Sequence, residues 1–267
     1  MVSQWLDLKD KVIIVTGGCV GIGANIVENL QANGATVIVA DMSIEDDYMN
    51  ENKVHYFKCN VTKQNEIERV VESVTNNYGK IDALVNNAGV NKPRLLVDYY
   101  NGDKNHEYTE EDFDFIVNVN QKGVFLFAQA VARKMIEQKF GVIVNISSEA
   151  GMEGSKGQSI YAATKGAVNA FTLSWAKELG PFNIRVVGVA PGINEPTPMG
   201  NPAHVRDLAY TRGIDAEEVV DDYKKIIPLA RQGKLQEIAD LVSYLVSDNS
   251  SYITGTTLNI TGGKSRG

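Results

Sequence analysis

A glycine-rich turn between two short apolar runs constrains the fold of this chain more than any other stretch. Residues 11–15 and 35–40 are rich in β-branched side chains, as expected for strands buried on both faces. Between them, residues 16–23 read T-G-x-x-x-G-x-G and lead into a helical pattern that Gly34 ends. The stretch therefore predicts a β-α-β unit with a glycine-rich first turn.

The same alternation of strand and helix continues along the chain. Further strands are predicted at 54–58, 81–85, 141–146, 184–190 and 256–260. The pattern predicts an α/β fold, a single-domain Rossmann-type doubly wound parallel sheet of about seven strands with helices on both faces, over residues 1–267. A long helix is predicted at 112–138 although it contains Asn120 and Gly123, which disfavour helix and require a reason.

Residues 193–227 differ from the rest of the chain in composition. They mix proline, glycine and charged residues with a few helical turns. Such segments run over the surface and often carry function, so we expect a lid-like substrate loop there.

Bulk composition excludes several classes of protein. The formal net charge of −7 argues against a nucleic-acid or membrane-surface partner. No apolar run approaches the roughly 20 residues that span a bilayer, and the first residues do not resemble a secretory signal. Cys19 and Cys59 lack metal-ligand spacing and the three histidines are scattered, so we expect reduced thiols, no metal and a cytoplasmic location.

The glycine-rich turn and the acid that follows it predict a dinucleotide site. Gly17, Gly21 and Gly23 would let the backbone approach a phosphate at a helix N-terminus. Asp41 closes the second strand, 18 residues after Gly23. A carboxylate there accepts hydrogen bonds from ribose hydroxyls and repels a 2′-phosphate, which favours NAD over NADP. An N-cap or turn role for Asp41 stays open.

A tyrosine and a lysine four residues apart indicate an acid/base pair. The helix predicted to begin near Ser159, a plausible N-cap, places Tyr161 and Lys165 on one face. A free tyrosine has a pKa near ~10, and a nearby ammonium lowers the pKa by favouring the phenolate. The same spacing is common on solvated helix faces, so the pair alone does not define a site.

Together these segments resemble the short-chain dehydrogenase/reductase family in its classical form, over nearly the whole chain. The matching motifs are the glycine-rich turn at 16–23, the Asn-Asn-Ala-Gly segment at 86–89 and the Pro-Gly pair at 191–192. Ser148 precedes Tyr161 by 13 residues, the usual family separation, and Asn120 falls where the family keeps a fourth catalytic residue.

The resemblance implies a role for each catalytic position. Tyr161 would exchange a proton with the substrate while a hydride passes to or from nicotinamide. Lys165 would lower the pKa of Tyr161 and bind the nicotinamide ribose, Ser148 would orient the reacting oxygen, and Asn120 would hold a water. Capping a turn by Ser148 and satisfying kinked backbone by Asn120 are the structural alternatives.

The resemblance also implies a set of cofactor contacts, with two departures from the family pattern. The matching positions are Thr16, Gly17, Gly21, Ile22, Gly23, Asp41, Asn60, Val61, Asn87, Ala88, Gly89, Tyr161, Lys165, Pro191, Gly192 and Thr197. Asn60 stands where the family usually has an aspartate, so a charge near adenine is lost. Thr197 comes one position late between two prolines, which leaves its contact with the carboxamide in doubt.

Several loops point to a substrate. Residues 91–97, 148–158, 210–213 and 251–267 resemble those of family members that oxidise a sugar-alcohol phosphate with NAD. A phosphate requires cationic or N–H donors, and Arg94, Lys156 and Arg212 are the candidates. Ordinary surface charge is the alternative for each, and the basic tail would reach a neighbour's site.

Three functions stay open at this point. They are a dehydrogenase of a sugar-alcohol phosphate, a dehydrogenase of an uncharged polyol, alcohol or ketone, and a cofactor-sensing protein without catalysis. The resemblance also implies a homotetramer built through the two long helices and the last strand.

Overall fold

The computed structural model describes residues 5–100, 105–221 and 223–265. The strands are β1 (Val12–Thr16), β2 (Thr36–Asp41), β3 (Tyr48–Met49), β4 (His55–Lys58), β5 (Ala83–Asn86), β6 (Gly141–Ile146), β7 (Ile184–Pro191) and β8 (Thr256–Ile260). The helices are α1 (Gly21–Ala32), α2 (Gln64–Tyr78), α3 (Glu110–Val117), α4 (Val124–Gln138), α5 (Ala150–Glu153), α6 (Ser159–Leu179), α7 (Pro202–Arg212), α8 (Ala216–Asp221), α9 (Tyr223–Ile226) and α10 (Leu235–Val246).

The eight strands form one sheet in the order β3-β4-β2-β1-β5-β6-β7-β8. Every pairing is parallel except that of β3 with β4. The prediction of a doubly wound parallel sheet is confirmed, but the antiparallel edge strand β3 was missed. It has two exposed residues, too few for a periodic signal, and its Tyr48 stacks on Tyr56 of β4 at 4.7 Å between ring centres.

The core lies on both faces of the sheet because the side chains of each central strand alternate. In β1, Ile13 and Val15 pack on one face with residues of α1 and α10. Val12 and Ile14 pack on the other face with residues of α2, α4 and α6. Strands covered on both faces are therefore apolar at every position, which explains the uninterrupted runs in the sequence.

The predicted long helix is continuous but contains a π-helical stretch, Asn118–Gly123, between α3 and α4. A Cβ on Gly123 would lie 2.9 Å from Cγ2 of Val61, so only glycine allows the helix to approach the end of β4 this closely. Asn120 is fully buried in the same turn. The two residues that disfavour helix therefore mark a departure from α-helical geometry at the strand ends.

One local prediction, the N-cap of α6, was wrong, and one segment is more helical than predicted. Ser159 is the first helical residue of α6, and the N-cap is Gln158, whose side chain makes no capping bond. Residues 193–227 are more helical than expected, because α7, α8 and α9 occupy much of this segment. Asn201 caps α7 by accepting hydrogen bonds from the backbone N–H groups of Ala203 and His204.

The strand order reverses direction between β1 and β5. From β1 the chain builds outward through β2 to β4, and then returns to β5 on the other side of β1. Open α/β sheets bind ligands at such a switch point, outside the carboxyl ends of the strands. The residues that follow β1, β5 and β6 therefore border the expected site.

Candidate active site

The glycine-rich turn after β1 has the backbone that its sequence predicts. Gly17 and Gly21 have φ of 65° and 59°, in the left-handed region that favours glycine. A Cβ on Gly17 would lie 2.8 Å from Cα of Ala88, and one on Gly21 would lie 3.2 Å from Cβ of Thr197. The turn therefore lies beside Ala88 and Thr197, two other predicted cofactor positions, and its bare backbone leads into the N-terminus of α1.

Thr16, a predicted cofactor position, makes hydrogen bonds within the protein. Its side chain is buried, and its hydroxyl accepts hydrogen bonds from the N–H groups of Asn87 and Ala88, both at 3.0 Å. Asn87 in turn donates from Nδ2 to the carbonyl oxygen of Gly17 at 2.8 Å. Thr16 and Asn87 thus join the ends of β1 and β5 and fix the shape of the switch point.

Asp41 combines the predicted position with the turn role left open for it. One carboxylate oxygen accepts hydrogen bonds from the N–H and hydroxyl of Ser43. The other accepts from the N–H of Cys19, in the glycine-rich turn, at 3.1 Å. The carboxylate therefore ties the turn to the end of β2 and places a negative charge beside it.

Asn60 and Val61 follow β4 as predicted, and they make different contacts. The Asn60 side-chain oxygen accepts from the N–H and hydroxyl of Thr62, which closes a local turn. Asn60 also lines a cleft of about 310 Å³ together with Met42 of the loop after β2. Val61 is buried against Gly123.

The buried side chain of Asn120 connects two segments of the site. Its oxygen accepts from the N–H of Val90 at 2.8 Å, and its Nδ2 donates to the Val90 carbonyl at 2.8 Å and to the Thr164 hydroxyl at 3.3 Å. The Asn120 side chain therefore satisfies backbone groups of the segment after β5, and not those of its own kinked helix. A Cβ on Gly89 would lie 3.5 Å from this oxygen and 3.6 Å from Nζ of Lys165, so the three predicted residues meet.

Lys165 is buried on α6, and its ammonium donates to the carbonyl oxygen of Ile146 at 2.8 Å. Nζ lies 5.7 Å from the centre of the Tyr161 ring. Burial penalises the charged form and lowers the pKa of Lys165 to about 8. This lysine therefore changes charge closer to neutrality than an exposed one, inside the helix face that the sequence predicted.

Tyr161 differs from the prediction that its pKa is lowered by Lys165. Burial raises the pKa of Tyr161, hydrogen bonding to Ser148 lowers it, and the negative charge of Glu149 raises it again. The acidifying partner is therefore Ser148 on the loop after β6. Its Oγ also accepts from the N–H of Ala150 at 3.2 Å, so the turn-capping role is present as well.

The predicted Pro191 and Gly192 lie at the end of β7, against a residue that the sequence reasoning missed. Glu149 donates its N–H to the carbonyl oxygen of Pro191 at 3.0 Å, and a Cβ on Gly192 would lie 3.0 Å from Oε2 of Glu149. Lys264 donates to Oε1 of Glu149 at 2.7 Å. Lys264 of the basic tail forms an ion pair within its own chain, and Arg266 of that tail lies outside the described residues.

The three candidate phosphate ligands lie beside the segment that precedes α6. Arg94 donates its N–H to the Gly157 carbonyl, and its guanidinium forms an ion pair with Asp207 at 2.6 Å. The Arg94 side chain is only 16% exposed, so its charge is already balanced within the protein. Lys156 is exposed and donates to the carbonyl oxygen of Arg212 at 3.3 Å. Lys156 and Arg212 are thus neighbours. The Arg94 guanidinium is engaged in a structural ion pair with Asp207.

The described part of the chain has neither a cluster of metal ligands nor a helix suited to crossing a membrane. Among residues 5–100, 105–221 and 223–265, no group of three or more histidine, cysteine, aspartate or glutamate side chains is arranged to hold a metal. In the same part of the chain, no helix is both long enough and apolar enough to cross a membrane.

The residues present at the strand ends fit a dinucleotide. The turn with its two left-handed glycines leaves backbone open at the start of α1, and a carboxylate stands at the end of β2. Tyr161 and Lys165 lie across the switch point, next to Gly89 and Asn120.

Comparisons with known proteins agree with this arrangement. A family profile described as short chain dehydrogenase matches residues 11–206. Sorbitol-6-phosphate 2-dehydrogenase of Klebsiella pneumoniae is 52% identical over 99% of this chain and 100% of its own length. A 3-oxoacyl-[acyl-carrier-protein] reductase of Thermotoga maritima is 43% identical over 97% and 99%.

A solved structure shows the same fold. NAD⁺-bound xylitol dehydrogenase superimposes with a TM-score of 0.82 at 30% identity, over 96% of this chain and 99% of that one. The profile match, the two relatives and the shared fold confirm the resemblance drawn from the motifs. The chain belongs to the short-chain dehydrogenase family and is an oxidoreductase that acts on a CH–OH group.

Proposed function

We propose that this protein oxidises a sugar-alcohol phosphate with NAD, converting sorbitol 6-phosphate to fructose 6-phosphate. The observation that carries the reaction type is the convergence of Ser148, Tyr161 and Lys165 at the carboxyl ends of the strands, beside the glycine-rich turn. The observation that carries the substrate is the 52% identity to a sorbitol-6-phosphate 2-dehydrogenase over the whole chain.

The catalytic residues would divide the work of proton transfer. Tyr161, deprotonated, would accept the proton of the substrate hydroxyl, and Ser148 would hold the same oxygen by a hydrogen bond. Because burial raises the pKa of Tyr161, its deprotonated form would depend on the hydrogen bond with Ser148, which lowers that pKa. Asn120 would act on Lys165 by fixing Val90 and Thr164 around it.

The cofactor would lie between the glycine-rich turn and the catalytic pair. NAD would supply the hydride acceptor at its nicotinamide. The N–H groups at the start of α1 would bind the pyrophosphate, and Asp41 would accept hydrogen bonds from the adenosine ribose. Thr197, beside Gly21, is also a proposed cofactor contact.

A second candidate function is the oxidation of an uncharged polyol or alcohol, or the reduction of an uncharged ketone. It is favoured by the fold shared with NAD⁺-bound xylitol dehydrogenase. The 43% identity to a 3-oxoacyl-[acyl-carrier-protein] reductase adds a β-ketoacyl thioester to the substrates to be tested.

A substrate panel with the purified protein separates these functions. NADH absorbance would be followed with sorbitol 6-phosphate, sorbitol, xylitol and, in the reverse direction, acetoacetyl thioester and fructose 6-phosphate. We expect kcat/KM for sorbitol 6-phosphate to exceed that for sorbitol by a factor of 100 or more, since a bound phosphate contributes about 3 kcal/mol through charged hydrogen bonds. Equal or reversed preference would support the second function. No NADH signal with any compound would contradict both.

We also propose a cytoplasmic homotetramer. Phe113 of α3, Phe125 of α4 and Leu173 of α6 are exposed apolar side chains on the two long helices. The edge strand β8 has only half-buried residues. Association of copies through these surfaces would cover them, and sedimentation velocity would measure the mass of the assembly.

A further inference from the structure

Glu149, the residue that follows Ser148, forms an ion pair with Lys264 that the proposed mechanism does not use. The ammonium lies 2.7 Å from Oε1 of Glu149, and the two side chains are 13% and 25% exposed. The residues are 115 positions apart, so only the tertiary fold brings them together. An ion pair this shielded from water is stronger than an exposed one, and breaking one side leaves an uncompensated charge.

The pair sits where three strand ends meet. Glu149 follows Ser148 after β6 and donates its N–H to Pro191 at the end of β7. The N–H of Gly192 donates to Ile260 of β8 at 3.1 Å. Lys264 lies beyond β8 and donates its N–H to the Thr261 carbonyl at 3.3 Å. The ion pair therefore joins the segment after β8 to the loop that carries Ser148.

The second carboxylate oxygen of Glu149 makes this side chain depend on the positive charge of Lys264. Oε2 is buried without a hydrogen-bond partner among the described residues, over the Cα of Gly192. A buried carboxylate with one unsatisfied oxygen depends on its counter-ion, and here the counter-ion is Lys264.

We propose that Glu149 and Lys264 are positioning residues that hold Ser148 and Gly192 in place, an inference that rests on the proposed function. Lys264 would also neutralise the Glu149 carboxylate, whose charge acts on Tyr161. The charged groups around Tyr161 come from three elements. They are Lys165 on the same helix, Glu149 on the loop after β6, and Lys264 on the segment after β8, through Glu149. Without Lys264 the Glu149 charge would oppose formation of the phenolate.

Charge-removing variants test the pair through the pH profile of the enzyme. In a plot of kcat/KM against pH, one limb reports the ionisation of Tyr161. Lys264→Met should shift this limb to higher pH by about one unit, since the carboxylate is left uncompensated. Glu149→Gln should shift it downward. The double variant should return the limb towards the wild-type position, because neither charge remains. Lys11→Met, which removes an ion pair with Asp248, is the matched control and should leave the limb unchanged.

A second readout requires no turnover. Tyrosinate absorbance would be measured against pH for each variant and for the same variant carrying Tyr161→Phe. The difference between the two curves follows the ionisation of Tyr161 alone. The same order of shifts is expected there. If the wild type oxidises no alcohol, the proposed function fails, and this titration still decides the role of the pair.

Two results would overturn the inference. One is a Lys264→Met protein that loses rate or stability while the ionisation of Tyr161 stays where it was, which indicates a structural tie only. The other is a double variant whose Tyr161 ionisation is displaced as far as that of Lys264→Met. If Lys264→Met does not fold, Glu149→Gln decides the matter, and an unmoved limb in that variant contradicts the proposal.

Discussion

Nζ of Lys165 lies 5.7 Å from the centre of the Tyr161 ring, one turn further along α6, and donates its hydrogen bond to Ile146. The ammonium is thus fixed by the end of β6, at a distance from which it acts on the phenol through space. The two side chains are therefore positioned by different partners. Lys165 is held by a backbone carbonyl, and Tyr161 by a hydrogen bond with Ser148.

Removal of the Tyr161 hydroxyl should abolish most turnover while the fold and cofactor binding persist. In Tyr161→Phe we expect kcat to fall by about 10²–10⁴-fold, because the proton acceptor is lost. Tyr252→Phe is the matched control, since Tyr252 is fully exposed, and it should keep wild-type kcat. Steady-state NADH absorbance gives kcat, and quenching of protein fluorescence by NAD gives its Kd. A variant with normal kcat would remove Tyr161 from the mechanism.

The buried lysine predicts a pH-dependent stability. The folded pKa of Lys165 is about 8, below the value near ~10.4 of an unfolded lysine, so folding disfavours its charge. The resulting penalty is fully present below pH 8 and is relieved as the pH rises towards 10. Lys165→Met should therefore gain stability relative to wild type at pH 7, by at most about 3 kcal/mol, and less at pH 10. Urea unfolding at both pH values measures this. An equal difference at pH 7 and pH 10 would contradict the lowered pKa.

Neutralising Asp41 should weaken selection against NADP. In Asp41→Asn the carboxylate that repels a 2′-phosphate is gone, while an amide oxygen can still accept from Cys19. We expect the ratio of kcat/KM for NAD over NADP to fall by about tenfold or more, corresponding to a hydrogen bond to a charged group. Asp46→Asn, at an exposed position of the following loop, is the control and should leave the ratio unchanged. An unchanged ratio in Asp41→Asn would assign Asp41 to the turn alone.

The buried amide of Asn120 predicts a graded loss of stability. Asn120→Ala removes hydrogen bonds to Val90 and Thr164 and should lower the free energy of unfolding by about 2–3 kcal/mol. Thr164→Val removes fewer of these bonds and should cost about 1 kcal/mol. Asn77→Ala, on the exposed face of α2, should change stability by less than about 0.5 kcal/mol. Urea denaturation compares the three, and equal values for Asn120→Ala and Asn77→Ala would refute the bridging role.

Lys156 and Arg212, beside the segment that precedes α6, give a test of the phosphate site. If Lys156 and Arg212 bind the phosphate, Lys156→Met and Arg212→Met should each raise KM for sorbitol 6-phosphate about tenfold. KM for sorbitol should stay the same, since it has no phosphate. Arg94→Met should instead lower stability, because Asp207 loses its partner. Steady-state kinetics with both substrates makes the comparison. Equal effects on the two substrates would place the phosphate elsewhere.

Much of the architecture could be predicted from local pattern. The strands and main helices follow from apolar runs and helical periodicity. The strand β3 was missed and the helical content of residues 193–227 was underestimated, because short exposed elements and mixed polar segments carry little periodic signal.

The sequence by itself determined the glycine-rich turn and the shared helix face of Tyr161 and Lys165, because each depends on residues within one or two turns of chain. It also determined the family, because several such local motifs occur together along the chain. Only the tertiary structure decided that Thr16 bonds to the segment after β5 and that Arg94 pairs with Asp207, 113 residues away. It alone brought Lys264 to Glu149. Spacing along the chain fixes which side chains share a helix face. The packing of parallel strands decides which strand ends meet, and therefore which opposite charges pair and which donors reach an acceptor.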